Sequence, residues 1–89
     1  MSETQIRFAT FREILKDLGF RQIKLSETQT AFQHDATDTL LALPVYKASQ
    51  NVAPHHLAMF RLQLDAKGVL EADDFDRLVA SAGIRQTAS

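Results

Sequence analysis

The first regular pattern in the chain is a stripe of apolar residues with helical spacing. Four residues recur at i, i+3, i+4 and i+7: Phe11, Ile14, Leu15 and Leu18. Thr10 and Glu13 form a capping-box pattern, which predicts a helix beginning near Phe11, with Phe8 either extending the stripe or stapling the start. Gly19 supplies the left-handed residue that commonly follows a helix, so we expect the helix to end there.

Apolar residues then recur at every second position, which predicts three short strands over residues 20–25, 28–35 and 39–46. Ser26 to Thr28 and the run DATD at 35–38 are rich in turn-forming residues. Strands joined by such short turns pair as an antiparallel meander. Pro44 cannot donate to a ladder, so the third strand is predicted to lie at an edge of the sheet.

Alternation along the strands predicts which side chains face the helices: Ile23, Leu25, Phe32, Leu41, Leu43 and Val45. The opposite face is then polar or small, as expected of a sheet covered on one side only. It is predicted to carry Gln22, Lys24, Gln29, Ala31, Gln33, Ala42 and Tyr46. Leu40 does not fit this alternation.

Two more helices are predicted in the C-terminal half. Pro54 suits the first turn of the second helix, and Gly68 ends it. Its stripe contains Leu57, Phe60, Arg61 and Leu64, widened by Met59 and Leu62. The acidic residues Glu71, Asp73 and Asp74 suit the positive end of a last helix, which buries Phe75, Leu78 and Val79 and ends at Gly83.

The predicted fold is therefore α+β: a helix, a three-stranded antiparallel meander and two helices (αβββαα). The first two helices are expected on the same face of the sheet, because only one face is apolar. With 89 residues, the chain is predicted to form a single domain, with a core over about residues 8–82 and flexible tails at 1–7 and 83–89.

The amino-acid composition narrows the range of possible functions. The net charge of −1 disfavours a protein that holds nucleic acid mainly by neutralising phosphates. The absence of Cys excludes disulfides and thiolate sites. The start, MSETQIRF, lacks the pattern of a signal peptide, and the longest apolar run is far shorter than the roughly twenty residues of a membrane helix. We expect a cytoplasmic protein without a cofactor or a membrane association.

Several pieces of the chain resemble the HicA (YcfA-like) family of small bacterial toxins. They are the helix ending LKDLGF, the hairpin with Phe32 and His34, the proline-containing third strand, and the runs VAPHHLAMF and KGVLEADDF. The resemblance covers roughly Phe11 to Ala80. It implies a fold like a double-stranded RNA-binding domain, an mRNA endonuclease activity and an antitoxin as protein partner.

The family's hairpin usually carries a Gly-Ser-His run, whose histidine is credited with RNA cleavage. Aligned on Phe32, those places hold Glu27, Thr28 and Gln29. A carboxamide has no pKa near neutrality and cannot replace imidazole in acid–base chemistry. The resemblance therefore implies the fold more strongly than the activity. Gln29 is the residue at the position of the family histidine.

Three histidines remain as candidates for chemistry. His34 lies two residues after Phe32 and therefore on the same, buried face of the predicted strand, which favours a structural or turn-capping role over catalysis. His55 and His56 lie in the first turn of the second helix, about 100° apart, so they cannot easily bind one metal ion together. A hydrated helix start is the simpler interpretation. The acidic set Glu71, Asp73, Asp74 and Asp76 lacks the pattern of a calcium loop, and no metal site is predicted.

Two surfaces are candidates for binding. A small basic patch for nucleic acid contains Arg12, Lys16, Arg21, Lys24 and Lys47. In RNA-binding domains of this shape, the first helix meets the minor groove of the RNA. A polar platform for a protein partner contains Gln22, Gln29, Gln33 and Tyr46. Each of these surfaces also has the composition of an ordinary hydrated face.

Three functional hypotheses follow. The first is a HicA-like domain without ribonuclease activity that binds RNA, an antitoxin-like protein, or both. The second is a protein-interaction domain with no nucleic-acid role, which pairs with itself or a partner through the edge strand 39–46. The third is an active ribonuclease that uses His34 or His55 instead of the family histidine.

Overall fold

The computed structural model describes the backbone of residues 5–88 and the side chains as far as Ile84. The elements are α1 (Phe8–Asp17), β1 (Arg21–Lys24), β2 (Gln29–His34), β3 (Thr39–Pro44), α2 (Pro54–Ala66) and α3 (Ala72–Ala88), with a short 3-10 turn at Asp35–Thr37. The predicted α+β fold with the order αβββαα is confirmed.

The three strands form one antiparallel sheet in the order β1-β2-β3. Phe32, at the centre, pairs with Gln22 of β1 and Leu41 of β3. Its ring contacts Phe8 of α1 at 6.2 Å and Phe60 of α2 at 6.3 Å between centroids. Both helices therefore pack on the same face of the sheet, as predicted, and β3 lies at an edge.

The aromatic side chains join all three helices in one core. The Phe11 ring meets the edge of Phe60 at 5.1 Å and of Phe75 at 6.3 Å. Leu64 and Val79 are buried beside them. Leu62, which we expected to widen the apolar stripe of α2, instead points to solvent with 67% of its surface exposed.

The predicted parity of β1 is wrong. Gln22 pairs with Phe32 and Lys24 with Thr30, so both side chains point to the helix-bearing side. Ile23 pairs with Ala31 and lies on the open face, the face of the sheet that no helix covers. Leu25 is half exposed, and Tyr46, expected on the open face, stacks on Phe8 of α1 at 5.5 Å. The helices cover β2 and β3, whereas the inner side of edge strand β1 remains accessible to water.

The start of α1 also differs from the prediction. The helix begins at Phe8, and its N-cap residue, Arg7, makes no capping bond through its side chain, so Thr10 lies inside the helix rather than capping it. The first helical amides instead bond to the β3–α2 connection: Phe8 N–H donates to Gln50 O at 2.8 Å and Ala9 N–H to Ala48 O at 3.1 Å.

Residues that we expected in the tails belong to the folded domain. Ile6 is fully buried in the core, and its carbonyl accepts the Val52 N–H at 2.9 Å. At the other end, α3 continues through Gly83 to Ala88, so the predicted helix end at Gly83 is wrong. The remaining tail residues, 1–4 and 89, lie outside the described residues.

The two other predicted glycine stops are confirmed. Gly19 follows α1 with φ of 101°, and Gly68 follows α2 with φ of 71°. These are conformations that residues with a Cβ rarely adopt. Across the part of the chain that the structure describes, none of the helices combines the length and apolar character needed to cross a membrane.

Candidate functional site

Two adjoining depressions run between α1 and the edge strand β1. Their volumes are about 500 Å³ and about 490 Å³, and Arg12 and Gln22 line both of them. We call this continuous surface the cationic groove. Its floor includes Phe8, Thr30 and Phe32, and its far end is closed by Val45 and Tyr46.

The groove exists because α1 does not cover β1. The side chains of Gln22 and Lys24 project from the helix-bearing side of the strand and form one wall of the groove. Arg12 and Lys16, on successive turns of α1, form the other wall. An i, i+4 pair rises about 6 Å along a helix. Gln22 is held in place because its Nε2 donates to Thr30 Oγ1 at 3.1 Å, and Thr30 Oγ1 donates to Ile23 O at 3.0 Å.

The groove concentrates positive charge on a chain that is slightly acidic overall. Four of the ten basic residues line it (Arg12, Lys16, Arg21 and Lys24), but only two of the eleven acidic residues do (Glu13 and Glu27). The guanidinium of Arg21 turns to the open face, where it bonds to Gln33 and Asp35. The remaining three cations and two carboxylates give the groove a formal charge of +1, and the rest of the chain carries −2. The net charge of −1 hides this separation, which is why composition alone disfavoured an anionic ligand.

The four cations differ in how far they are already neutralised. Arg21 Nε donates to Asp35 Oδ2 at 3.2 Å, and Lys24 Nζ lies 3.7 Å from Glu27 Oε1. No ion pair joins Arg12 or Lys16 to a carboxylate of the described side chains. The Arg12 guanidinium lies 5.7 Å from the centroid of the Phe8 ring. Arg12 and Lys16 are therefore the groove cations that no carboxylate of the described side chains neutralises, so their charge is available to an anionic ligand.

The structure brings together four of the five predicted nucleic-acid-binding residues. Lys47, the fifth, lies just beyond Tyr46 and lines neither depression of the groove. The predicted partner platform, in contrast, is divided between two sides of the sheet. Gln29 and Gln33 lie on the open face, but Gln22 and Tyr46 face the groove. The reason is the inverted parity of β1 and the turn of the chain after Pro44.

Gln29 stands at the mouth of the groove, where β2 begins. The turn before it is organised by Ser26, whose Oγ accepts the backbone N–H groups of Thr28 and Gln29, each at 3.2 Å. The Gln29 side chain is exposed and makes no hydrogen bond with any described residue. It holds no titratable group and has no histidine near it. His34 lies at the other end of β2, about 16 Å away along the strand.

His34 has a structural environment. Its Nε2 donates to the carbonyl of Leu18 at 3.1 Å, at the end of α1, and its Nδ1 accepts from Thr37 Oγ1 at 2.8 Å. Thr37 Oγ1 in turn contacts Thr39 Oγ1 at 2.7 Å. With both ring nitrogens engaged, His34 joins α1 to the β2–β3 connection, and neither nitrogen is available to a substrate.

A second histidine contact was not predicted from sequence. The Tyr46 hydroxyl is hydrogen-bonded to His56 Nδ1 at 2.5 Å and accepts the Ala53 N–H at 3.0 Å. Burial, and then the neighbouring His55, lower the pKa of His56 below its ordinary 6.5, which keeps the ring neutral. The interpretation of His55 and His56 as a hydrated helix start therefore holds for exposed His55 only. An aromatic ten residues before a His carries no periodic signal that would have revealed the pair.

The open face is more apolar than predicted. Ile23, Ala31 and Ala42 form its centre, and Leu40 and Leu25 stand at its margins with 58% and 49% of their surface exposed. Gln29 and Gln33 are its predicted polar members.

The acidic residues of α3 make ordinary surface contacts. Asp76 bonds to Arg61 and Asp74 to Arg77. Among the described residues, no group of three or more His, Asp or Glu side chains is placed to hold a metal ion.

Comparisons of the chain with protein-family models, with curated proteins and with solved structures give no match.

Proposed function

We propose that this domain binds RNA without cleaving it, through the cationic groove between α1 and β1. One observation carries the proposal: Arg12 and Lys16, one helical turn apart and without a carboxylate partner among the described side chains, line a concave surface of charge +1. Phosphates are the ligands that such a surface attracts, and the attraction falls with salt. The HicA resemblance supplies RNA as the ligand class, and the αβββαα order agrees with the fold that this resemblance implies.

The proposal that RNA is bound without being cleaved rests on the residue at the position of the family histidine. A general base or acid within hydrogen-bond reach of the reacting atoms accelerates RNA hydrolysis by about 10²- to 10⁴-fold. Gln29, at the position where the resemblance places the family histidine, begins β2 beside the mouth of the groove with its side chain on the open face, and it cannot transfer protons at neutral pH. His34 is about 16 Å away along β2 and has both nitrogens engaged.

The test is equilibrium binding of a labelled RNA duplex of about 20 base pairs, longer than the roughly 16 that domains of this shape span. Arg12→Ala and Lys16→Ala should each weaken binding several-fold, and the double variant roughly tenfold, because each removes a phosphate contact. The matched control is Lys67→Ala, which removes an exposed lysine at the far end of α2. A gel of the same mixtures should show intact RNA.

Two results would contradict the proposal. One is the absence of binding at about 50 mM salt, where phosphate contacts are strong. The other is an equal effect of the Lys67 and Arg12 substitutions, which would mean that the groove is not the site. Degradation of the RNA by the wild-type chain would leave the groove in place but overturn the claim that it does not cleave.

A second candidate function, self-association through β3, is favoured by the geometry of that edge. Val45 N–H donates to Thr28 O at 3.0 Å, so alternate residues of β3 point their backbone groups towards β2. The intervening residues, Leu40, Ala42 and Pro44, therefore direct theirs away from the sheet. A second copy of the chain can pair with these outward groups, and the apolar open faces would then form one continuous surface.

Ala42→Pro tests this candidate with little disturbance of the fold. It removes only an outward N–H, as Pro44 already does, and leaves the β2–β3 ladder intact. Sedimentation at increasing concentration should show dimers for the wild type and monomers for the variant. A wild-type chain that remains monomeric at high concentration rules the candidate out without affecting the RNA proposal.

A further inference from the structure

Tyr46 connects the cationic groove to the first turn of α2. Its ring stacks on Phe8 at 5.5 Å with an interplanar angle of 14°, and together with Val45 it closes one end of the groove. Its hydroxyl contacts α2 twice, through the Ala53 N–H and His56 Nδ1. On its α2 side, this groove wall is therefore held by two hydrogen bonds at a single oxygen atom.

A neutral imidazole with its proton on Nε2 satisfies both bonds fully. The Tyr46 oxygen then accepts one hydrogen bond, from the Ala53 N–H, and the Tyr46 O–H donates its proton to the lone pair of His56 Nδ1. When His56 takes up a proton, Nδ1 becomes a donor. Two donors, the Ala53 N–H and the Nδ1–H, then face the half-buried Tyr46 oxygen, and the hydroxyl proton has lost its acceptor. The hydroxyl must turn away and find another acceptor, so protonation disfavours the contact.

Few groups near His56 can offset the positive charge of its protonated ring. The titratable groups facing His56 are Tyr46, from the β3–α2 connection, and His55, from α2, whose ring centroid is 4.1 Å away. From α1, the residue behind Tyr46 is Phe8, and the Arg12 guanidinium near it is also positive. No carboxylate of the described side chains forms an ion pair with either histidine.

We propose that Tyr46 and His56 form a proton-sensitive latch, which holds the Val45–Tyr46 wall of the cationic groove against α2 and releases it when His56 is protonated. The latch does not depend on what the groove binds, so it stands or falls separately from RNA binding. It makes the shape of the groove sensitive to pH in the mildly acidic range.

The chain carries its own probe for this latch, since Tyr46 is its single tyrosine and tryptophan is absent. Tyrosine fluorescence and near-ultraviolet circular dichroism therefore report on this ring with little background. We expect a change in both signals as the pH falls from about 8 to about 5, with a midpoint below the ordinary histidine value of 6.5.

Two substitutions separate the latch from general acid effects. His56→Asn keeps an acceptor oxygen near the position of Nδ1 but cannot be protonated, so the change in the Tyr46 signals should disappear. His55→Asn removes the neighbouring charge and leaves the latch, so the change should persist with a midpoint closer to 6.5. A wild-type signal that does not depend on pH overturns the proposal, as does an unaltered change in His56→Asn.

Stability gives a second measurement on the same proteins. Because the folded state lowers the pKa of His56, the unfolded chain binds the proton more readily. The stabilising contribution is complete above pH 6.5 and is lost as the pH falls through 6.5 towards the lowered pKa. Urea unfolding should show this loss in the wild type and not in His56→Asn. In the wild type, nuclear magnetic resonance should give one midpoint for the His56 ring and the Tyr46 ring protons, and two different midpoints would contradict the latch.

Discussion

Single residues in this protein act through contacts made across the fold. His34 shows this most clearly: its ring accepts from Thr37 and donates to the end of α1, and it packs against Gly19. A Cβ added at Gly19 would lie 3.3 Å from two atoms of that ring. The glycine therefore meets two requirements at once, a positive φ and a close approach to the histidine.

Gly19→Ala should destabilise the protein by about 2 to 3 kcal/mol, because the left-handed conformation alone costs about 1 to 2 kcal/mol and the His34 ring must also shift. Gly68→Ala is the matched control. It has a similarly positive φ but nothing within 4 Å of the added Cβ, so only the backbone cost of about 1 to 2 kcal/mol applies. Urea unfolding measures both, and equal losses would show that the approach to His34 costs nothing.

At the scale of elements, the sequence predicts the features that depend on neighbouring residues. It misses those that depend on contacts with residues far away in the chain. The periods of α1, β2 and β3, the stops at Gly19 and Gly68 and Pro54 at the start of α2 could be predicted, because each depends on neighbouring residues. The start of α1 was not, because its first amides bond to Ala48 and Gln50, about forty residues away. The prediction of which β1 side chains face the helices was wrong, because the apolar residue of β1 lies on the open face and its polar residues Gln22 and Lys24 line the groove.

The same reasoning explains which parts of the site could be predicted. Arg12 and Lys16 follow from helical spacing, and four of the five predicted basic residues do line one surface. The groove itself could not be foreseen, because it arises from the uncovered inner side of β1. Tyr46 was placed on the wrong side of the sheet because the chain leaves the strand after Pro44, where alternation no longer applies.

The N-terminal segment provides a test at this scale. Ile6 is fully buried, and its carbonyl bonds to Val52, so Ile6→Ala should cost about 2 to 4 kcal/mol through lost burial and a residual cavity. Leu62→Ala, at a side chain that is 67% exposed, should cost less than about 0.5 kcal/mol. Comparable small losses in urea unfolding would place Ile6 in a frayed tail, as the sequence alone suggested.

At the scale of the whole molecule, the distribution of charge matters more than its sum. A chain with a net charge of −1 places +1 along one groove and leaves −2 elsewhere. A polyanion is attracted to the groove and repelled by the remaining surface, which orients it before contact. The open face is a separate surface, with exposed leucines and with the Arg21 guanidinium paired to Asp35.

The most direct test of the RNA proposal is the salt dependence of binding to the RNA duplex. For the wild type, the logarithm of the association constant should fall linearly with the logarithm of the salt concentration. The double variant Arg12→Ala, Lys16→Ala should reduce that slope by nearly two, since each phosphate contact contributes about 0.9. An unchanged slope, or binding that does not depend on salt, would contradict the assignment of the cationic groove as the RNA site.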